Sequence, residues 1–138
     1  MRFLAIDLGD KRTGLALADD QTRIASPLSV IDVPADRRDA LIDALDDAAH
    51  KHEADALVIG LPLNMDGTEG PRAAVVRDLA GAIAARIHLP LHLHDERLSS
   101  ADADWSMART GMTHKQKKAR RDALAAAAIL KDFLEAHP

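Results

Sequence analysis

The sequence predicts a mixed α/β fold in which helices cover both faces of one sheet. Three short apolar stretches joined by turns open the chain, and helix patterns then alternate with further apolar stretches. The length of 138 residues suits one domain. Two separate cores would have only about 70 residues each, near the limit for independent stability. We therefore expect residues 1–138 to form a single domain.

The first three strands are expected to form an antiparallel meander. Residues 3–8 are almost wholly apolar and stop at Gly9, which favours a strand buried on both faces. Residues 15–18 form a second strand after a tight turn, and residues 23–33 form a third extended stretch that Pro27 interrupts. Short turns of this kind join neighbouring strands that run in opposite directions.

A helix and a fourth strand are predicted next. Asp36 is a suitable N-cap for the helix. The buried stripe of this helix is expected to hold Leu41, Leu45 and Ala48 or Ala49. Residues 56–59 then form a strand that stops at Gly60, and a right-handed crossover places it beside the first strand.

The rest of the chain continues this alternation. Pro71 suits the first position of a second helix, where its missing N–H costs nothing. The core face of that helix is expected to hold Val75, Leu79, Ile83 and Ile87. A fifth strand is predicted over residues 89–93, a third helix over residues 99–111, and a last helix over residues 122–136.

The composition excludes several kinds of site. The chain has no cysteine, so it cannot use disulfides, thiolate catalysis, iron–sulfur clusters or zinc sites built on thiolates. No apolar run approaches the roughly 18 residues of a membrane span, and Asp7 comes too early for a signal peptide. We expect a cytoplasmic protein with no membrane attachment.

Charge is distributed unevenly, although the net charge is only −4. Six basic residues and no acid fall within residues 109–121, whereas the rest of the chain has 12 basic and 22 acidic residues. The six are Arg109, Lys115, Lys117, Lys118, Arg120 and Arg121. Such segregation indicates a surface that binds anions, and a solvated run of charge is the alternative. Aromatic residues make up 2% of the chain, so a nucleic acid would be held mainly through its phosphates.

Three acidic positions fall where burial or a ligand site is predicted. Asp7 lies inside the most apolar strand, on the face that also carries Phe3. The Asp95–Glu96 pair follows the fifth strand at the edge of the sheet where α/β proteins place ligand sites. Asp122 extends the buried stripe of the last helix.

Each of these positions also has an ordinary structural explanation. Asp7 would form a salt bridge with Lys11 or Arg12, the Asp–Glu pair would lie in an exposed turn, and Asp122 would complement a helix dipole. A buried unpaired carboxylate costs roughly several kcal/mol. Convergence around Mg²⁺ or Mn²⁺, which prefer oxygen ligands, would account for all three acids. Such ions cleave phosphodiesters without a protein nucleophile.

Four sequence blocks resemble one known family. They are residues 7–14 (DLGDKRTG), residues 60–72 (GLPLNMDGTEGPR), residues 95–100 (DERLSS), and residues 115–118 together with residues 122–126. The blocks cover nearly the whole chain, and in this order they resemble the YqgF/RuvX-type family. Members of this bacterial family are described as pre-16S rRNA nucleases and as Holliday junction resolvase-like. The resemblance implies an RNase H-like fold with sheet order 3-2-1-4-5.

The resemblance also implies a function. It implies a nuclease that needs Mg²⁺ or Mn²⁺ and matures the 5′ end of 16S rRNA during ribosome biogenesis. The catalytic and metal-binding acids would be Asp7, Glu96 and Asp122. The role of Asp95, as a ligand or as a supporting group, is left open. Many RNase H-like nucleases carry a fourth acid one turn after Asp122, where this chain has Ala125 and Ala126, so the number of metal ions is also open.

The partner implied is a nucleic acid, with RNA preferred and DNA left open. The residues expected to contact it are Lys11, Arg12, Asn64, Arg72, Lys115, Lys117, Lys118, Arg120 and Arg121. Asn64 and Arg72 belong to a long loop with two glycines, and a network that only stabilises this loop is an equal alternative. We expect a monomer or a weak homodimer.

Three other functions are compatible with parts of the pattern. A junction resolvase or another DNA-repair nuclease would use the same acids, and a resolvase needs a dimer. A non-catalytic RNA-binding module would use only the basic segment. Residues 7–14 also resemble the phosphate-binding turn of actin-like and sugar-kinase ATPases. This ATPase function is disfavoured because those proteins close two such domains over the nucleotide.

Overall fold

The computed structural model describes residues 1–96 and 114–137, with only the backbone described for residues 114–119. The strands are β1 (Arg2–Leu8), β2 (Thr13–Asp19), β3 (Ser26–Ile31), β4 (Ala56–Leu61) and β5 (Leu91–Asp95). The helices are α1 (Arg38–Lys51), α2 (Pro71–Arg86) and α3 (His114–Ala136). The helix expected over residues 99–111 lies outside the described residues.

The five strands form one mixed sheet in the order β3-β2-β1-β4-β5. β1 pairs antiparallel with β2, and β2 pairs antiparallel with β3. β4 pairs parallel with both β1 and β5. The predicted fold class and strand order are therefore confirmed. The carboxyl ends of β1, β4 and β5 meet at one edge of the sheet.

Each face of the sheet carries its own hydrophobic core. Leu4, Ile6 and Leu8 of β1 pack on one face with the apolar stripes of α1 and α2. Phe3 and Ala5 belong to the opposite face, which is covered by the buried stripe of α3. Side chains alternate along a strand, so Asp7 projects on the α3 side of the sheet. No helix in the described parts of the chain is long and apolar enough to span a membrane.

Several predicted boundaries differ from the structure. β4 does not stop at Gly60 but continues to Leu61, and β5 covers Leu91–Asp95 rather than residues 89–93. Asp36 is not the N-cap of α1. The cap is Arg37, whose side chain makes no capping bond because a guanidinium group has no acceptor. The N–H of Arg37 donates to the carbonyl of Pro34 in a turn before the helix.

The core face of α2 is rotated from its predicted position. The buried residues of this helix are Ala73, Val76, Leu79, Ala80 and Ile83. Val75, which was expected in the core, is 56% exposed. A spacing of four residues turns about 40° past a full turn at each step, so a stripe chosen by that spacing drifts around the helix. Small alanines complete the buried face instead.

The last helix begins earlier than expected. α3 starts at His114 rather than near residue 122, so the basic run lies inside its first turns. Lysine, arginine and glutamine are good helix formers even without an apolar stripe to reveal them. Asp122 is therefore in the body of the helix, and its interpretation as an acid at a helix N-terminus is wrong. The buried stripe after Asp122, which includes Ala126, Ile129 and Phe133, is confirmed.

Candidate active site

Asp7 on the central strand has a glycine beside it on each neighbouring strand. Its antiparallel partner on β2 is Gly14. On β4, Ile59 pairs with Ile6, so the next residue, Gly60, lies beside Asp7. The α3 face of the sheet therefore has no side chain on either side of the Asp7 carboxyl group.

Both glycines are positions of close approach. A Cβ atom on Gly14 would collide with the backbone carbonyl of Asp122, so only glycine lets α3 come this near to β2. A Cβ atom on Gly60 would collide with the carboxylate of Glu96 and with Ile129 Cδ1. The two absent side chains thus leave room for a helix backbone and for a carboxylate on opposite sides of Asp7.

Glu96 reaches Asp7 from the far side of β4. Its backbone N–H donates to the carbonyl of Leu61 at 3.2 Å, which extends the β4–β5 pairing by one residue. Its side chain crosses Gly60 and is hydrogen-bonded to Asp7. Two carboxyl groups can bond in this way only when they share a proton. The pair therefore behaves as one acidic unit.

Burial and mutual repulsion shift both acids of this pair. Burial, with the added charge of Asp7, raises the pKa of Glu96 from 4.5 to about 7. Burial also raises the pKa of Asp7, and the negative charge of Asp122 raises it further, whereas the hydrogen bond from Glu96 opposes the rise. The positive charge of Arg72 lowers the pKa of both acids without cancelling these effects.

Asp122 lies beside this pair of acids and forms an ion pair with Arg12. Its backbone packs on Gly14, and its carboxylate Oδ2 accepts a hydrogen bond from Arg12 Nε at 2.8 Å. The negative charge of Asp122 raises the pKa of Asp7, so the two carboxylates lie close enough to interact electrostatically. We call Asp7, Glu96 and Asp122 the acidic pocket.

The acidic pocket fits a hard divalent cation by its chemistry. It offers carboxylate oxygens only, which Mg²⁺ and Mn²⁺ prefer. Burial, together with repulsion from neighbouring carboxylates, raises the pKa of Asp7 and of Glu96. The described residues contain no group of three ligands already arranged around one point. Asp7 and Glu96 could bind an ion after losing their shared proton, and Asp122 after parting from Arg12.

The charges of two further residues, Asp95 and Arg72, act on the acidic pocket. Asp95 is the last residue of β5, and its charge adds a smaller upward contribution to the pKa of Glu96. Arg72, in the first turn of α2, donates from Nη1 to Asp10 Oδ1 at 2.6 Å and from Nη2 to the carbonyl of Leu8 at 2.9 Å. These bonds fix the end of β1 to α2, and its charge reaches the acidic pocket.

The other predicted nucleic-acid contacts are distributed around the same edge. Asn64 Nδ2 donates to Thr68 Oγ1 at 2.9 Å, and the two residues also share a backbone bond, so Asn64 takes part in a network within its loop. Lys11 is exposed in the turn after β1. Arg120 and Arg121 are exposed on α3 immediately before Asp122. The backbone of Lys115, Lys117 and Lys118 lies in the first turns of the same helix.

Sequence reasoning missed the positions that bring the acids together. Gly14 was interpreted as the end of a turn and Gly60 as a strand stop, whereas both lie within strands. A glycine inside a strand pattern is a signal of close backbone approach, so this signal was present in the sequence. The Arg12–Asp122 pair joins residues 110 positions apart, and no local pattern marks it.

The strand order is that of the RNase H-like fold. A family model described as "RuvX: Holliday junction resolvase" matches residues 1–136. A protein of Anaeromyxobacter sp. (strain Fw109-5) is 42% identical over 135 residues, covering 98% of this chain and 97% of that protein. A Chloroflexus aurantiacus protein (strain J-10-fl) is 37% identical, covering 97% and 86%. Both bear the name "Putative pre-16S rRNA nuclease".

Solved structures show the same fold at low sequence identity. Thermus thermophilus RuvC in complex with a Holliday junction substrate is 17% identical, with a TM-score of 0.61 over 99% of this chain and 94% of that chain. A fowlpox virus resolvase in complex with Holliday junction DNA is 9% identical, with a TM-score of 0.59 over 99% and 98%. The chain belongs to the RuvX family. It is a nucleic-acid-binding nuclease that hydrolyses phosphodiester bonds, in a fold class suited to divalent metal ions.

Proposed function

We propose that the protein cleaves pre-16S rRNA at its 5′ end, using Mg²⁺ or Mn²⁺ bound by Asp7, Glu96 and Asp122. The observation that carries this proposal is the hydrogen-bonded Asp7–Glu96 pair, buried beside Asp122 in a space that Gly14 and Gly60 leave open. The names of the full-length relatives support the choice of substrate. This substrate would place the protein in the cytoplasm.

The proposed chemistry assigns separate tasks to the groups of the site. A bound divalent ion would neutralise charge on the scissile phosphate and lower the pKa of the attacking water. Asp7 of β1, Glu96 after β5 and Asp122 of α3 would hold this ion. Asp95, the residue before Glu96, adds negative charge beside it. Arg72 keeps a positive charge beside the pair and anchors the end of β1.

The basic residues of α3 support a nucleic acid as the partner. Arg120 and Arg121 are exposed immediately before Asp122, so a phosphate chain held by this helix would pass next to the acidic pocket. Lys115, Lys117 and Lys118 continue the same charge toward the start of the helix. A nucleic-acid strand that is held through its phosphates does not need aromatic side chains for its bases to stack on. We infer that RNA is the preferred substrate, and that the protein acts as a monomer or a weak homodimer.

Cleavage of a four-way DNA junction is the second candidate. It is favoured by the description of the matching family model and by the fold shared with two junction-cleaving proteins. A junction resolvase must cut two strands symmetrically, which requires a dimer with two sites. The two candidates are therefore separated by substrate and by oligomeric state.

One assay tests the proposal directly. The purified protein with Mn²⁺ or Mg²⁺ is offered RNA spanning the mature 5′ end of 16S rRNA, DNA of the same sequence, and a four-way junction. We expect cleavage of the RNA, no cleavage in EDTA, and no cleavage by Asp7→Asn. Asp47→Asn, on the exposed side of α1, should cleave at the wild-type rate.

The outcomes separate the candidates. Cleavage of the junction alone, by a dimer, would replace the first proposal with the second. Cleavage by Asp7→Asn at the wild-type rate would show that the acidic pocket is not the active site. RNA binding without cleavage of any substrate, unaffected by Asp7→Asn and Asp122→Asn, would identify a non-catalytic binding module.

A further inference from the structure

One ion pair joins the turn after β1 to the acidic pocket. Arg12 Nε donates to Asp122 Oδ2 at 2.8 Å, between residues 110 positions apart in the chain. The carboxylate of Asp122 is neutralised by this guanidinium group. A side chain therefore supplies to Asp122 the positive charge that a divalent ion would otherwise bring.

The backbone at Arg12 is held in place, so the ion pair can change only through the side chains. The N–H of Gly9 donates to the carbonyl of Arg12 at 3.0 Å and closes the turn. A Cβ atom on Gly9 would collide with that carbonyl, which keeps the turn tight. Asp10, at the tip, is bonded to Arg72 of α2. The turn is thus tied to two elements of the fold.

The pair is accessible from solvent on the side where a nucleic acid would approach. The side chains of Arg12 and Asp122 are 32% and 29% exposed, which is enough for a phosphate group to reach the guanidinium. The recorded bond uses one nitrogen of Arg12 and one oxygen of Asp122. A guanidinium group matches a phosphate with two parallel bonds, so a phosphate competes well with this single bond.

We propose that Arg12 is a positioning residue that exchanges partners, from Asp122 in the free protein to a backbone phosphate in the nucleic-acid complex. The inference rests on the proposed nuclease function. When Arg12 leaves, the carboxylate of Asp122 loses its ion-pair partner beside Asp7, and the affinity of the acidic pocket for a divalent ion rises. Nucleic acid and metal ion therefore bind cooperatively, and the coupling is the same in both directions.

The coupling is measured as Mn²⁺ binding by electron paramagnetic resonance, with and without a short phosphorothioate RNA that is checked to stay intact. In the wild-type protein, the RNA should tighten Mn²⁺ binding by about 10-fold. In Arg12→Gln, Mn²⁺ should bind about 5-fold to 10-fold more tightly without RNA. Adding RNA should tighten Mn²⁺ binding less than in the wild type, because only the contact between the ion and the phosphate would remain. Arg12→Lys keeps the charge and should bind Mn²⁺ like the wild type.

Arg38→Gln is the matched control. Arg38 also forms an ion pair with an aspartate, at 2.7 Å to Asp78, between the helices on the other face of the sheet. The variant has the same change of charge and the same loss of an Arg–Asp pair. Its Mn²⁺ binding and its response to RNA should equal those of the wild type.

A second measurement uses the wild-type protein and does not depend on how any variant folds. The Nε–H signal of Arg12 in a ¹H–¹⁵N spectrum reports on its partner, and the metal-free protein is titrated with the same RNA. The signal should shift as RNA binds. A signal that RNA leaves unchanged would overturn the exchange of partners, as would equal coupling in Arg12→Gln and in the wild type.

Failure of this inference is distinct from failure of the nuclease proposal. If the wild-type protein cleaves RNA and binds Mn²⁺ with an affinity that RNA does not alter, only the role of Arg12 is wrong. If the wild-type protein neither cleaves any substrate nor binds Mn²⁺, both proposals are wrong.

Discussion

The carboxylate of Glu96 lies in the space left by the missing side chain of Gly60. Gly60 is on β4, between the strand that Glu96 follows and the strand that carries Asp7. Because β4 presents no side chain there, Glu96 can cross it and bond to Asp7. Gly60, which has no reactive side chain, therefore determines whether the carboxyl groups of Glu96 and Asp7 can come into contact.

Gly60→Ala should fold and lose activity. The added Cβ would collide with the ends of two side chains, Glu96 and Ile129, which can move at a cost of about 1–3 kcal/mol. Displacing Glu96 by about 1 Å should lower kcat/KM roughly 100-fold. Urea unfolding and RNA-cleavage kinetics measure the two effects. Wild-type kcat/KM in this variant would show that Glu96 does not need this space.

Gly81→Ala is the control for that substitution. Gly81 lies in α2, and a Cβ atom placed there meets nothing within 4 Å. Alanine is the better helix former, so the free energy of unfolding should rise by about 0.5–1 kcal/mol. Cleavage should proceed at the wild-type rate, which separates the effect of a methyl group from the effect of its position.

Gly14→Ala should be far more damaging to the fold. The Cβ would collide with the backbone of Asp122, and backbone cannot rotate away as a side chain can. We expect a loss of about 3 kcal/mol or more in the free energy of unfolding, because α3 must lift from β2. Chemical denaturation measures it. A loss below that of Gly60→Ala would contradict the close contact of helix and strand.

Substitution at the neighbouring position, Thr13, should instead raise the free energy of unfolding. Thr13 is fully buried, and its hydroxyl oxygen has no hydrogen-bond partner in the described part of the chain. Thr13→Val keeps the shape of the side chain and removes the unpaired hydroxyl. The free energy of unfolding should rise by about 1 kcal/mol. Destabilisation by Gly14→Ala together with stabilisation by Thr13→Val would rule out a general intolerance of β2 to substitution.

The stability of the metal-free protein should fall as the pH rises toward neutrality. The pKa of Glu96 is raised from 4.5 to about 7 in the folded state. Between these values the folded protein binds more protons than the unfolded chain. This stabilising contribution is complete below pH 4.5 and is lost as the pH rises through about 7. Asp7, whose pKa is also raised, acts in the same direction.

Glu96→Gln isolates this contribution. The variant should lose less stability than the wild type when the pH is raised from about 5 to about 8, as measured by Tm in EDTA. Mg²⁺ should raise the wild-type Tm more at the higher pH, because the ion competes with protons for the same oxygens. Identical pH profiles for the two proteins would show that Glu96 is not the group that titrates.

Replacing Lys117 and Lys118 by glutamine should weaken RNA binding and should also reduce the salt dependence of the affinity. Each phosphate contact contributes about 0.7 to the slope of log affinity against log salt concentration for single strands. The double variant should therefore lose up to about 1.4 from this slope. Fluorescence anisotropy over a range of salt concentrations measures it. An unchanged slope would indicate that these lysines are only a solvated part of α3.

The architecture was largely predictable, because strand alternation and turn length are local signals. The apolar run of β1, the turns of the meander and the alternation that follows predict a mixed sheet, and its order is confirmed. The start of α3 at His114 was not predictable from an apolar stripe, because most residues in the first turns of this helix are basic. Helix propensity, not hydrophobic pattern, was the relevant signal.

The candidate site was predictable in its acids and not in its geometry. Burial patterns single out Asp7 and Asp122, and the position after the fifth strand singles out the pair that contains Glu96. The reasons for their proximity are the space over Gly60 and the packing of α3 on Gly14, which depend on distances between elements far apart in the chain. No periodicity within one segment contains such a distance.

One helix, α3, both covers a whole face of the sheet and contributes Asp122 to the acidic pocket. The same helix is therefore needed both for catalysis and for the cooperative unfolding of the whole fold. Partial denaturation should not yield a folded but inert species. Turnover and far-ultraviolet ellipticity are expected to vanish at a common urea concentration.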